Sequence, residues 1–124
     1  MINVKEKGNR FERACAKEIN NVSPTANGRR TPLSGGMDFK GDIIVINQNS
    51  IYKEWCFECK DQKTITLPAW IKQSEKDCPT SKQPIIIYNF KGQKRVDFRF
   101  NDWLGLMMMI EHLEEELKKA LENK

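Results

Sequence analysis

The sequence predicts an α/β domain with a long helix at its end, and three observations carry that prediction. Apolar residues recur at helical spacing over residues 5–20, over 67–78, and from about Trp103 to near the end. Between these stretches lie short apolar runs of strand length at 42–46, 51–60, 85–88 and 95–100. Clusters of Gly, Pro, Asn and Ser punctuate each change of period, and no internal repeat or linker divides the chain.

Length and composition limit the answer further. A chain of 124 residues is one domain with one core, here residues 1–100, followed by a helix at 101–124 that packs on the domain or makes a dimer. Apolar content of 39% with 31% charged residues describes a globular protein, and no stretch approaches the ~20 apolar residues of a membrane span. The opening residues Met1 to Lys5 have no apolar signal core, and four cysteines without one point to free thiols and a cytoplasmic setting. Residues 1–100 hold 18 Lys and Arg against 11 Asp and Glu, a net of +7, whereas 101–124 hold 3 against 6, a net of −3. A basic body suits a polyanionic partner, and the acidic tail has another task.

The elements follow in order. In the first helix Phe11, Ala14, Cys15 and Ile19 form the buried stripe, with Glu12 at its margin. Residues 20–28 are turn formers, and 29–36 read as irregular. The paired Arg29 and Arg30 there suit contacts to phosphate oxygens, or simply a solvated loop. Strands at 42–46 and 51–60 flank the polar turn 47–50 and form a hairpin, which brings Asp42 near Glu58 and Lys60. Pro68 suits the first turn of the second helix, which Pro79 stops. Residues 85–88 read as a fully buried strand, 91–94 as a turn, and 95–100 as a half-exposed strand with Val96, Phe98 and Phe100 on one face. Asn101 and Asp102 are placed to cap the last helix, whose Leu106, Ile110, Leu113, Leu117 and Ala120 or Leu121 follow a spacing close to a heptad seam.

The chemistry concentrates where charge interrupts apolar strands. On a strand Glu58 and Lys60 share one face while Phe57 and Cys59 take the other. Charged groups are rarely buried without partners, so two readings stand: a Glu58–Lys60 salt bridge, or a divalent-metal site completed by Asp42. Asp38 competes with Asp42, which is preferred because it directly precedes a strand. Cys56 and Cys59 form a C-x-x-C, but residues three apart on a strand face opposite ways and no second pair follows, which argues against zinc. His112, the single histidine, lies among glutamates and assembles no catalytic pair.

The order of these motifs resembles the PD-(D/E)XK nuclease superfamily, and within it the archaeal and phage Holliday junction resolvases of the Hjc type. The residues that carry the resemblance are Lys7-Gly8-Asn9-Arg10-Phe11-Glu12-Arg13, Ser34-Gly35-Gly36, Gly41-Asp42-Ile43-Ile44 and Glu58-Cys59-Lys60, within roughly residues 5–100. It implies a restriction-endonuclease-like mixed sheet of about four or five strands flanked by helices. It further implies Mg²⁺, with Mn²⁺ as substitute, held by Asp42, Glu58 and the Cys59 backbone carbonyl with Glu12 assisting, and Lys60 orienting or activating water. Oxygen donors of this kind favour such hard cations over zinc. Arg10, Arg13, Ser34 and Lys40 join Arg29 and Arg30 as DNA-contacting positions. The implied activity is cleavage of branched or four-way DNA by a homodimer, of phage origin or otherwise. The alternatives are a general duplex or nicking endonuclease of the same fold, and a non-catalytic nucleic-acid-binding module. Gly41 stands where the family's motif usually has proline, and the long last helix is not part of the compact archaeal pattern.

Overall fold

The computed structural model describes residues 3–31 and 41–124. Five strands, β1 (Gly28–Arg30), β2 (Ile43–Val45), β3 (Trp55–Lys60), β4 (Gln83–Phe90) and β5 (Gln93–Phe98), lie side by side in chain order as one mixed sheet. The α/β expectation and the five-stranded sheet therefore hold. β3 and β4 are parallel and are joined through α2 (Leu67–Asp77), while every other neighbouring pair is antiparallel.

Helix α1 (Val4–Val22) begins where the Asn3 Oδ1 accepts the Glu6 amide at 2.7 Å, satisfying one of the amides a helix start leaves unpaired. Phe11, Cys15 and Ala16 are buried against Ile43, Val45, Phe57, Cys59 and Ile87, so α1 covers one face of the sheet. Ala14, expected in the stripe, is only half-buried, and Ala16 takes a place in the core. Trp70 and Ser74 of α2 are buried, and Trp70 meets Tyr88 at 6.0 Å between ring centroids. The parallel register sets Cys56 beside Pro84 and Glu58 beside Ile86, which gives β3 its second, polar-bearing face. Coverage on both faces explains why the first half of β3, Trp55-Cys56-Phe57, is apolar on both sides.

Four elements depart from the sequence reading. Arg29 and Arg30 belong to a strand, β1, paired with Ile44 and Ile43, and not to a loop. The side chain of Asn20 fixes that edge, its Nδ2 donating to the Gly28 carbonyl at 2.9 Å and its Oδ1 accepting the Gly28 amide at 2.7 Å. Residues Ile51–Glu54 form a 3₁₀ turn capped by the Ser50 hydroxyl, so β3 starts only at Trp55. Helix α3 spans Phe100–Glu122: Phe100 is helical, and Asp102 pairs with Arg99 at 2.9 Å and caps nothing. The β4–β5 hairpin turns through Lys91 (φ 52°) and Gly92 (φ 80°) alone, the positive pair that matches strand twist, so β4 runs on to Phe90 and β5 starts at Gln93 where a turn over 91–94 was expected. No residue of α3 is buried, and among the described residues the helix makes no extended contact with another element. Among the described residues no helix is long and apolar enough to cross a membrane.

Gly41 fixes how the chain enters β2. Its φ is +83°, and a Cβ there would lie 2.6 Å from the Phe57 carbonyl oxygen and 3.0 Å from the Phe57 amide nitrogen. Both the dihedral and the space exclude a side chain, and proline, whose φ is held near −65°, cannot take this conformation. Gly41→Ala should therefore lower stability by about 2 kcal/mol or more, measured by chemical denaturation; an unchanged midpoint would contradict this account of the approach.

Candidate active site

Asp42 is held at three points. Its amide donates to the Phe57 carbonyl at 2.6 Å, its carbonyl accepts the Thr31 amide at 2.9 Å, and its Oδ2 accepts the Cys59 amide at 2.7 Å. Since Ile43 pairs with Phe57, the next step along the antiparallel register sets Asp42 against Glu58. The two carboxyls come close enough to share a hydrogen bond. Glu58 is 9% exposed, and burial first, then the Asp42 charge, pushes its pKa up to about 7. Burial also raises Asp42, against the Cys59 amide and the Lys60 charge, which favour its ionised form. The metal-free pair therefore keeps a proton on Glu58, donated to Asp42, until near neutral pH.

Lys60 lies two residues along β3 on the same face as Glu58 and is half-buried. Its charge favours ionisation of both carboxyls from a distance, but among the described residues it makes no ion pair with Glu58, so the salt-bridge reading does not hold. Asp61 follows, accepting from Asn89 Nδ2 at 3.1 Å and lying 3.8 Å from Lys7 Nζ, which ties the exit of β3 to β4 and α1.

Glu12 approaches from α1. Arg30 Nε donates to its Oε2 at 2.7 Å, and the second Arg30 branch donates to Asn9 Oδ1 at 2.7 Å. Burial and the Asp42 charge raise the Glu12 pKa, and the Arg30 contact opposes them. Glu12 thus shares the field of Asp42 while its carboxylate is engaged by Arg30. Among the described residues no three His, Cys, Asp or Glu side chains come together as a cage.

The donor set present is accordingly two carboxylates and a main-chain oxygen. The Cys59 amide faces Asp42, and the carbonyl of a strand residue points to the same neighbour as its amide. Hard oxygens in this number suit Mg²⁺ or Mn²⁺, which bind through one or two carboxylates and retain waters. The thiols do not compete. Burial pushes Cys56 up to about 12, and hydrogen bonding with Cys15, together with burial, raises Cys59 further. Cys59 packs in the α1-side core, away from the face of Cys56, and all four cysteines are free.

The expected DNA-contacting positions divide. Arg13, Arg29 and Arg30 line one surface depression of about 370 Å³ together with Lys17. Arg10 borders a separate one beside Lys7, Phe11 and Asp61. Ser34, Lys40 and the competing Asp38 lie outside the described residues. Two polar partners were not singled out in the sequence: Asn9, one helical turn before Glu12, and Asp61, directly after Lys60. That adjacency was the only trace of either.

An aspartate entering one strand, a glutamate opposite it on the next, and a lysine two residues further on the same face define the PD-(D/E)XK class of nucleases. The chain matches the family model described as "Phage putative PDDEXK endonuclease" over residues 3–123, and it belongs to that family. Comparisons with curated proteins and with solved structures found no match.

The raised carboxyls have a consequence for stability. A carboxyl whose folded pKa lies above its ordinary value stabilises the fold below that ordinary value and loses the contribution as pH rises. For Glu58 the window runs from 4.5 to about 7. Metal-free protein should lose roughly 3 kcal/mol across this window, followed by urea denaturation at fixed ionic strength. Glu58→Gln should flatten the profile; an equally steep profile in the variant would remove Glu58 as its source.

Proposed function

We propose that this chain is a Mg²⁺-dependent endonuclease that hydrolyses phosphodiester bonds in branched DNA, the four-way Holliday junction above all, and works as a homodimer in the host cytoplasm. The observation that carries the reading is the buried Asp42–Glu58 pair, oriented by the Cys59 amide and flanked by Lys60. Membership of a phage nuclease family supports it, as does the resemblance of the motif order to junction resolvases.

Asp42, Glu58 and the Cys59 carbonyl would hold the cation, with Glu12 assisting from α1. Bound there, Mg²⁺ supplies charge stabilisation at the phosphate and a lowered pKa for coordinated water. The chain's own groups do the rest. Asp42 is preorganised by three backbone contacts, so its carboxylate needs no reorganisation to receive a cation. Glu58 would have to give up its proton to serve as a ligand. Lys60, on the same face, donates hydrogen bonds to water or a phosphate oxygen. Arg30 keeps Glu12 aimed towards Asp42, and Arg13, Arg29 and Lys17 offer phosphate contacts beside it. With Asp42, Glu58 and Lys60 all present, a purely DNA-binding role leaves the buried acids without a purpose.

Asp42→Asn should abolish Mg²⁺-dependent cleavage and leave DNA binding largely intact, checked by gel cleavage and by binding titration on the same substrates. Undiminished cutting by this variant would sink the site. The wild-type chain with Mg²⁺ on matched four-way, flap, nicked and linear duplex DNA should cut the four-way junction selectively and symmetrically. Equal rates on all four would make it a general nuclease.

A further inference from the structure

The homodimer reading can be taken further, independently of the nuclease chemistry, because α3 holds information about its own partner. Trp103, Leu106, Ile110, Leu113, Leu117 and Ala120 recur at alternating spacings of three and four along 23 helical residues, and none is buried by the chain itself. We propose that this seam is covered by α3 of a second copy running antiparallel, with Trp103 packed against Ala120 of the partner subunit and Leu106 against Leu117 of the partner subunit.

Side-chain size favours this direction. A parallel pair in register would place Trp103 against Trp103 of the partner subunit and leave Ala120 facing Ala120 of the partner subunit, a crowded end and a hollow end. The antiparallel register sets the largest seam residue against the smallest, the alternation that fills facing layers. Charge favours it too. Glu111, Glu114, Glu115 and Glu116 form an acidic stretch, and a parallel pair lays that stretch along its own copy. Reversing one helix lays Glu114 and Glu116, which flank the seam, beside the partner's Met107 and the partner's Met109, where the aliphatic stems of the glutamates can cover methionine surface. The helix dipoles then also oppose each other favourably.

The methionine run carries a further point. Met107, Met108 and Met109 are all exposed, at 36%, 71% and 55%, and they widen the apolar surface of the first half of α3 beyond a two-residue seam. The second half has only Leu121 beside its seam, so its flanks are mainly acidic where those of the first half are apolar. A helix of this length extends about 35 Å, and pairing two along it buries on the order of 1,200–1,600 Å², within the range of specific interfaces. The cavity between α2 and β5, about 230 Å³, is a poorer berth for the seam, because Glu75, Asp97 and Arg99 line it beside Ile71, Pro84 and Ile86.

Spin labels on the outer face test the direction without touching the seam. In the full chain with Cys78→Ser, which removes the one cysteine that is not buried, labels are placed at Glu115→Cys in one sample and Glu122→Cys in another. Pulsed EPR of the antiparallel dimer should give a label separation about 20 Å longer at 122 than at 115, since seven residues advance about 10 Å along each helix. Equal separations would overturn the direction while leaving a dimer. A monomer by light scattering at micromolar concentration would overturn the pairing itself. Neither outcome touches the cleavage assays, so failure here and failure of the nuclease reading are distinguishable.

Discussion

The constraint on which the rest of this structure depends is the burial of two carboxyl groups against each other at the start of β2 and the end of β3. Desolvation penalises the charged form of each, and proximity penalises the charging of both together. The Cys59 amide and the Lys60 ammonium offset part of that cost, but Glu58 still retains its proton up to about pH 7. A domain of this size has only a few kcal/mol of net stability to spend on such an arrangement. On the proposed reading a cation would relieve that repulsion, and the backbone contacts of Asp42 keep its carboxylate in place to receive one.

That arrangement passes through very few residues. Gly41 admits the close approach of the chain to Phe57, and so sets the height at which Asp42 meets β3. Cys59 links packing to chemistry: its side chain belongs to the core beneath α1, while its amide, on the other strand edge, orients Asp42. Movement of α1 relative to β3 is therefore transmitted to the carboxylate through one residue. Arg30 performs a comparable task for Glu12, since it is fixed on β1 by pairing with Ile43 and held at its far end by Asn9. The edge strand that bears it is in turn clamped by Asn20, so α1 supplies both the glutamate and the brace of its arginine.

The centre of the site was legible because strand periodicity and short-range pairing determine it. Charge at Glu58 and Lys60 on one face of an apolar run, with Asp42 opening the preceding strand, needs only alternation and a hairpin to converge. The hairpin itself was misjudged in detail, because Ser50 caps a 3₁₀ turn over Ile51–Glu54 that an apolar pattern reads as strand. β1 was not legible at all. Gly-Arg-Arg has no apolar rhythm, and its strand character comes from β2 and from a side chain eight residues away. The Glu12–Arg30 pair spans 18 residues between two elements, one of which was unseen, so its geometry had no local trace. At the start of α3 a plausible cap at Asn101-Asp102 lost to an ion pair with Arg99, which moved the helix back to Phe100.

The charge asymmetry of the chain acquires a spatial meaning from α3. A net of +7 in residues 1–100 and −3 in 101–124 would partly cancel if the two were packed together. Among the described residues they are not: α3 makes no extended contact with another element, and its acidic stretch begins at Glu111, eleven residues along the helix. That is about 16 Å of axis, twice the ~8 Å over which salt screens charge under physiological conditions. The far half of α3 is therefore screened from the end of the helix that joins β5, while it locally repels any polyanion that approaches it. The basic α1–β1 side, with Arg13, Lys17 and Arg29, is thus the surface suited to a polyanion, and the apolar seam of α3 is suited to protein.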